Sequence, residues 1–374
     1  MRAWILVAAS LAAVSCGQSG SGQTPGAGSP AANGGTGASP TTATMMNAPA
    51  AHGGSGAAPS MASMPAAMSG GTSGARVASA GGAGGMSASR DGADAGPAGA
   101  GDMSTPTGGS GAFPPVSDFL GDGPFGSTEL DMTGPNMNYT VYMPKMMPPA
   151  GAKFPLVGWM SGGGTTPSLY PLLPHLATHG FVVVASNTAP GIGDEVSLGQ
   201  EIIAGIDWAL SENMRDGSML SGLIDASKIA SMGYSMGSLA TFTIANDPRL
   251  TTTVHISGGN MEADRVNNLH APAAFICGIP DPNCSDILST DCDIAAANCD
   301  TDFMNAKTPV FYANFKGGHL GILTDPNMGP ITSLATAWLR WKLMNDDTLT
   351  NMFVGTDCSV CKDSTWKVQQ KGLP

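Results

Sequence analysis

The sequence predicts an α/β fold in which a doubly wound, mostly parallel sheet carries helices on both faces. Three observations support this prediction. Apolar runs of strand length alternate with segments of helical periodicity from about residue 113 onward. The run Phe181–Ala185 is apolar on both faces, as a buried parallel strand requires. A Gly-x-Ser-x-Gly pentapeptide, Gly233–Gly237, stands where one such strand passes into a helix.

The first residues carry the features of an export signal. Arg2 precedes an apolar run, Ala3–Val14, which is too short to cross a bilayer, so residues 1–15 are predicted to be a signal peptide. The run ends in small residues leading into Cys16, which resembles a bacterial lipobox. We therefore expect Cys16 to be the lipid attachment site of an exported lipoprotein at the cell envelope. Ordinary cleavage near the same place, giving a secreted protein, is the alternative.

Residues 16–112 differ in composition from the rest of the chain. They consist of Gly, Ser, Ala, Pro, Thr and Met with almost no aromatic or long aliphatic side chains. Such a segment cannot bury enough apolar surface to offset its ordering entropy, so it is predicted to be a disordered tether. Its expected random-coil reach is roughly 50–60 Å. Residues 113–374 are predicted to form one catalytic domain of ordinary size.

The charge of the chain argues against two classes of partner. The net charge is −12, and three of the 16 basic and three of the 28 acidic residues precede residue 113, so the predicted domain carries the whole imbalance. No cluster of basic residues interrupts it, which argues against binding to nucleic acid or to an anionic membrane surface. The lipid would be the only membrane anchor, and we expect a monomer.

The predicted elements alternate from residue 139 onward. Strands are predicted at 139–143, 154–160, 181–185, from Ile229 into the pentapeptide, and at 252–256, 273–278 and 309–315. Helices are predicted at 169–178, at 196–210, directly after Gly237, and at 331–344. The segment 196–210 has apolar residues at helical spacing and is interpreted as a crossover helix between parallel strands.

Ser235, at the centre of the pentapeptide, is the predicted nucleophile. Glycine makes up 52 of 374 residues, so about one chance match to this short motif is expected, and its context carries the argument. A strand that turns sharply into a helix holds the serine in a strained backbone conformation with its hydroxyl exposed. Gly233 and Gly237 are needed because a Cβ at either position would crowd the turn.

A serine nucleophile needs a general base, and His319 is the predicted base. It directly follows a late predicted strand, in a loop with two glycines. The alternative is a loop histidine without a catalytic role. The domain's other histidines precede the sheet centre near a surface helix, lie inside a strand, or stand in a connection: His175, His179, His255 and His270.

Asp281 is the predicted acid that orients the base. It lies three residues after Gly278, at the end of a predicted strand, and it gives the chain order Ser235, Asp281, His319. The alternative is a turn aspartate after Pro280. The short distance along the chain from Ser235 to Asp281 leaves no room for a helical cap domain. We therefore expect a nucleophile that is open to bulky or polymeric esters.

Backbone N–H groups are expected to stabilise the oxyanion of the tetrahedral intermediate. One donor is predicted at Met236, directly after the nucleophile. The other is predicted in the glycine loop that follows Met160, with Gly162 as the first choice and Gly163 as the next. That these glycines form a tight turn is compatible with this role.

Six cysteines of the domain are expected to form disulfides in an oxidising compartment: Cys277, Cys284, Cys292, Cys299, Cys358 and Cys361. Their pairing is left open, although Cys358 and Cys361 are predicted to form a terminal staple rather than a redox motif. The Asp-rich loop 281–302 offers oxygen ligands for Ca²⁺ but lacks EF-hand spacing. We predict no metal and no cofactor.

The span from about Pro155 to Cys361 resembles bacterial cutinase-like polyester hydrolases and the related lipase and chlorophyllase-like α/β-hydrolases. The matching pieces are residues 176–184, 232–237 and 318–320 and the tail from 337–346 through 353–361. The resemblance implies an α/β-hydrolase fold without a cap. It also implies Ser235 as nucleophile, His319 as base, Asp281 as acid, and Gly162 and Met236 as oxyanion donors.

Two departures from this family affect the expected substrate. Polyester hydrolases usually carry an aromatic residue at the first oxyanion position, where Gly162 stands, and a Trp where this chain has Ser257–Gly259. Tyr234 is the remaining ring expected to stack on substrate, and it is a predicted substrate-binding residue. Gly163, in the glycine loop, is the other. These departures bring activity on aromatic polyesters into question, whereas they leave ester hydrolysis as the expectation.

The sequence therefore favours an exported serine carboxylester hydrolase of the cutinase, polyesterase or lipase type, acting on an ester that is polymeric or small. Within enzymes, a small-ester esterase or a polyhydroxyalkanoate depolymerase would use the same residues. The alternative from another class is a surface protein that keeps this fold to bind a partner without turnover.

Overall fold

A computed structural model of the chain describes residues 113–279, 283, 296–315, 317–320, 323 and 328–374. Its centre is a sheet in which nine described strands follow the order β1-β2-β4-β3-β5-β6-β7-β8-β9. Strands β3 to β8 pair in parallel, whereas β1 and β9 pair antiparallel at the two edges and β2 pairs antiparallel with β4. The strands are β1 Ser127–Thr133, β2 Tyr139–Pro144, β3 Phe154–Met160, β4 Val182–Ser186, β5 Ile224–Tyr234, β6 Leu250–Ile256, β7 Ala273–Gly278, β8 Val310–Phe315 and β9 Trp366–Lys371.

Helices cover both faces of this sheet. They are α1 Leu172–Thr178, α2 Glu195–Met214, α3 Met236–Thr243, α4 Ala296–Asn305, α5 Gly329–Met344, α6 Thr350–Phe353 and α7 Ser359–Lys362. One buried cluster joins the sheet to α1 and α5, and a second joins it to α2 and α3. Within β4, Val183 packs in the first cluster and Val182 and Val184 in the second, so both faces of this strand are buried. The predicted doubly wound α/β-hydrolase fold is confirmed.

The structure adds elements that the sequence pattern did not indicate. The edge strands β1 and β9 mix exposed and half-buried residues along their length, so neither shows a clear apolar run. Strand β5 begins at Ile224 rather than at Ile229. The end of the predicted loop 281–302 is helical, because α4 begins at Ala296. In the described residues between α3 and β7, no helical domain is inserted.

Residues 113–126 form a strap that lies against α1 and α5. The ring Nε2 atoms of His175 and His179 donate to the carbonyl oxygens of Phe119 and Gly121, each at 3.0 Å. The Arg340 guanidinium donates to the carbonyl oxygen of Pro114 at 2.8 Å. Two further backbone N–H groups of the strap, Gly123 and Phe125, donate to the hydroxyl and carbonyl oxygens of Thr178.

Two disulfides lie within the described residues. Cys358 and Cys361 are joined, which confirms that these two cysteines form a disulfide. Cys277, in β7, is joined to Cys299, in α4. Cys284 and Cys292 lie outside the described residues. In the part of the chain that the structure describes, no helix is long and apolar enough to span a bilayer, and no group of His, Cys, Asp and Glu side chains is arranged to hold a metal ion.

Candidate active site

The predicted nucleophile sits at a sharp turn between β5 and α3. Ser235 follows the last residue of β5 and adopts φ 53° and ψ −117°, a conformation that is costly for a residue with a Cβ. A Cβ placed on Gly233 would lie 2.2 Å from the carbonyl carbon of Gly237, and one placed on Gly237 would lie 2.0 Å from the Met160 oxygen. The two flanking glycines are therefore required by backbone contacts within the elbow and with the end of β3.

The Ser235 hydroxyl oxygen lies 2.9 Å from Nε2 of His319. The backbone N–H of Ser235 donates to the carbonyl of Ile256 at 2.8 Å, which fixes the elbow to the end of β6. His319 is 4% exposed, and it follows the end of β8 at Phe315 by four residues. The structure thus brings together two predicted residues that are 84 positions apart in the chain.

Tyr234 is placed differently from its predicted stacking role. Its side chain is 2% exposed, and its hydroxyl donates to the backbone carbonyl of His319. Its ring centroid lies 5.3 Å from that of the His319 ring. Because Tyr234 directly precedes Ser235, this one side chain connects the nucleophile elbow to the loop of the histidine.

The predicted oxyanion donor at Gly162 is already engaged. Its N–H donates to the hydroxyl oxygen of Tyr170 at 2.8 Å, and its carbonyl accepts from the hydroxyl of Thr165 at 2.7 Å. The Tyr170 and Thr165 hydroxyl oxygens are 2.6 Å apart, so Tyr170 is the donor of that pair. Tyr170 is buried, which raises the pKa of its phenol to about 12 and keeps it protonated. The Gly162 peptide is therefore held within its own loop.

Two neighbouring backbone N–H groups differ from that of Gly162 in their hydrogen bonding. Among the described residues, neither the N–H of Gly163 nor that of Met236 has a hydrogen-bond partner. Met236 is the first residue of α3, so its N–H belongs to the positive end of the helix dipole. The Met236 N–H is thus available for an anion at Ser235, and the Gly163 N–H lies in the loop that follows β3.

Asp281 lies outside the described residues. The strand that precedes it, β7, ends at Gly278, which pairs in register with Phe315 at the end of β8. The chain therefore leaves the sheet toward Asp281 and toward His319 from adjacent positions at the same edge.

The other histidines of the domain are engaged elsewhere. His255 lies inside β6, where its ring stacks on Phe242 with centroids 3.6 Å apart and its Nε2 is 2.9 Å from the Thr253 hydroxyl. Burial lowers the pKa of His255 to about 3, so this ring is neutral. His175 and His179 bind the strap, and Nδ1 of His270 is bonded to the carbonyl oxygen of Ala245.

Comparison with known proteins places the chain in a family. Residues 140–370, more than half of the chain, match the family model described as PETase, PET hydrolase-like. The chain belongs to the PET hydrolase-like family. The resemblance stated from the sequence is thereby confirmed.

Two curated relatives of this PET hydrolase-like chain are cutinases. Cutinase est1 and cutinase est2 of Thermobifida alba are each 33% identical to it over 107 residues. Each alignment covers 29% of this chain and 34% of the relative. The chain thus matches about a third of the length of either cutinase.

Gly162 and Gly259 lie in the two segments where the sequence analysis expected departures from the family, and neither has space for a side chain. A Cβ on Gly162 would lie 2.7 Å from Cδ1 of Tyr234. A Cβ on Gly259 would lie 2.2 Å from the backbone N of Cys299 in α4. Tyr234 therefore occupies the space beside Gly162, and α4 occupies the space beside Gly259. Sequence patterns gave no signal for Tyr170 or α4 at these positions.

Proposed function

We propose that this protein is an exported serine carboxylester hydrolase. The observation that carries the proposal is the distance of 2.9 Å between the Ser235 hydroxyl oxygen and Nε2 of His319, at an elbow whose backbone is strained. A hydroxyl within hydrogen-bond reach of an imidazole is the arrangement that nucleophilic catalysis requires. Membership of the PET hydrolase-like family supports an ester as the substrate.

The proposed reaction proceeds through an acyl-enzyme. His319 removes the hydroxyl proton as Ser235 attacks the ester carbonyl, and the resulting imidazolium gives that proton to the leaving alcohol. Water then attacks the acyl-enzyme with His319 again as base, releasing the acid and restoring the serine. Asp281 is proposed, from its place in the chain, as the carboxylate that orients the imidazole.

The proposed oxyanion donors are the N–H groups of Met236 and Gly163. Gly163 replaces the Gly162 of the sequence prediction, because the Gly162 N–H donates to Tyr170. Holding the Gly162 peptide between Tyr170 and Thr165 would fix the direction of the next N–H in the loop. No cofactor is needed for these steps.

The substrate and location are proposed more broadly. The absence of an inserted helical domain between α3 and β7 supports access by bulky or polymeric esters. Two relatives are cutinases, which supports a polyester among the substrates. Export through residues 1–15 and a lipid on Cys16 remain proposals from the sequence.

The decisive experiment combines covalent labelling with hydrolysis. The parent should bind a serine-directed fluorophosphonate and cleave p-nitrophenyl butyrate, and Ser235→Ala should lose both activities. Ser197→Ala, at an exposed serine in the first turn of α2, is the control and should behave as the parent. A parent that takes no label and cleaves no ester would favour the non-catalytic binding protein instead. An emulsified aliphatic polyester and an aromatic polyester film would then rank the polymer substrates.

A further inference from the structure

The loop that follows β6 lies against the nucleophile elbow. All four of its residues, Ser257–Asn260, are buried. A Cβ placed on Gly258 would lie 2.5 Å from the carbonyl oxygen of Ser235, and the hydroxyl of Ser238 donates to the Gly258 carbonyl at 2.5 Å. This loop therefore forms the side of the site nearest to β6.

Helix α4 is seated directly on this loop. At Gly259 the added Cβ would lie 2.2 Å from the backbone N of Cys299 and 2.3 Å from the carbonyl carbon of Asn298. One residue further, the Asp302 carboxylate accepts from the backbone N–H of Asn260 at 2.7 Å and from its side-chain amide at 3.2 Å. The contact of Gly259 with α4 is between backbones, so it cannot be relieved by rotating a side chain.

A disulfide fixes the same helix to the sheet. Cys299 of α4 is bonded to Cys277 of β7, and both sulfur-bearing residues are buried. The helix is thus held at three places, namely by contact with Gly259, by hydrogen bonds from Asn260 and by the disulfide to Cys277. A helix attached in this way has little freedom to move aside for a wide substrate group.

The acyl group of an ester is the part of the substrate that this helix would meet. The acyl carbon becomes bonded to Ser235 in the first step of the proposed reaction and stays bonded until water releases the acid, and the β6 loop contacts the elbow backbone itself. The alcohol departs on the side of His319, which gives it a proton. The face of α4 next to Gly259 presents the half-buried Asn298, a polar side chain without a ring.

We propose that the first turns of α4, Asn298–Asp302, are the specificity-determining wall of the acyl site. This wall restricts the enzyme to esters of slender aliphatic acids and disfavours flat aromatic acyl groups. The inference rests on the proposed ester hydrolysis and adds the substrate class to it. In this account the Cys277–Cys299 disulfide is a positioning element, because it acts on the substrate only through the helix.

The test measures the ratio of kcat/KM for p-nitrophenyl benzoate to that for p-nitrophenyl butyrate. Cys277→Ser/Cys299→Ser removes the disulfide that holds α4. Asn298→Ala shortens a side chain of the wall and leaves the disulfide in place. We expect the benzoate-to-butyrate ratio to rise about tenfold in either variant, a size typical of reshaping an apolar pocket. Cys358→Ser/Cys361→Ser, which removes the terminal staple, is the matched control and should leave the ratio unchanged.

A ratio rather than a rate is measured because removing the disulfide also affects the chain that leads to Asp281. A weaker acid would lower both rates together and leave the ratio as it was. If the parent is active and labelled by fluorophosphonate, an unchanged benzoate-to-butyrate ratio in folded Asn298→Ala would overturn the proposed role of α4. This variant also decides the question if the double cysteine variant does not fold. A parent without label or activity would overturn the proposed function itself. A change confined to esters that vary in the alcohol would also contradict the inference.

Discussion

At the scale of single residues, Tyr234 connects the two halves of the proposed catalytic pair. Its position in the chain next to Ser235 and its hydrogen bond to the His319 carbonyl mean that a shift of the base loop is opposed by the nucleophile strand. Tyr170 plays a comparable part for the glycine loop, since it holds the Gly162 N–H. Both tyrosines are buried and act through backbone groups rather than through substrate.

Tyr234→Phe is expected to lower kcat for p-nitrophenyl butyrate about tenfold with little change in KM, because a small displacement of the base reduces productive geometry. Leaving the buried His319 carbonyl without this donor should also cost about 1–3 kcal/mol in the free energy of unfolding. Steady-state kinetics and urea unfolding measure the two effects. Tyr142→Phe is the control, since Tyr142 is buried too and its hydroxyl has no hydrogen bond to a described residue. Full kcat in Tyr234→Phe would show that His319 is positioned by other contacts.

Asp302 gives a prediction about pH. Burial raises its pKa from 3.8 to about 6, against the opposing effect of its hydrogen bonds from Asn260. The folded state therefore binds this proton more tightly than the unfolded state, so this residue's contribution to stability falls as pH rises from about 4 to 6. Above pH 6 the charged carboxylate costs on the order of 2–3 kcal/mol.

Asp302→Asn is accordingly expected to stabilise the protein at pH 7.5, by on the order of 1–3 kcal/mol, and to have little effect near pH 4. Urea unfolding across this pH range measures the difference from the parent. Asp300→Asn, on the same helix, is the control. A stability difference that does not vary with pH would contradict this prediction.

At the scale of elements, the packing of the strap on α1 should weaken in acid. Burial lowers the pKa of His179 from 6.5 to about 4, and burial also lowers that of His175. The unfolded state binds protons more tightly here, so the contribution of these rings to stability is lost as pH falls from about 6.5 to 4. This effect is opposite in sign to that of Asp302.

His179→Gln keeps an N–H donor for the Gly121 carbonyl and removes the titration. Its stability loss between pH 7 and pH 4.5 should be smaller than that of the parent, by about 2–3 kcal/mol. Thermal and urea unfolding at the two pH values measure it, and His270→Gln, on an exposed histidine, is the control. If the variant and the parent lost equal stability in acid, the strap would not be the acid-sensitive contact.

The same scale shows what the sequence could and could not predict. Strands β3 to β8 were predictable because both of their faces are buried, which leaves apolar runs such as that of β4. Helix α4 was not, because its two large apolar residues, Phe303 and Met304, are adjacent and give no helical period. Its place is set by Cys277 and Asn260, which are distant in the chain. Ser235 and His319 were predictable from motif and chain order. The hydrogen bonds of Tyr234 and Tyr170 depend on tertiary packing, and no local pattern indicates them.

At the scale of the whole molecule, the domain from residue 113 onward is expected to work by itself. Within the described residues, three buried clusters join the sheet to the helices that cover it. Protein comprising residues 113–374 should match the full chain in melting temperature and, within about twofold, in kcat/KM on a soluble ester, since residues 16–112 have almost no aromatic or long aliphatic side chains to add to a core. Calorimetry and kinetics test this. A markedly lower melting temperature would show that earlier residues contribute to the core.

The strap also determines how the domain would respond to force. Its attachments follow one another along the chain, from Pro114 through Phe119 and Gly121 to Phe125. A pull on the chain ahead of Phe113 would therefore load them one at a time, beginning with the bond from Arg340, whose charge makes it one of the stronger ones. Peeling the strap would release at most roughly 50 Å of chain before β1 bore any load. The strap would therefore detach before the sheet, and the site that the sheet carries, came under load.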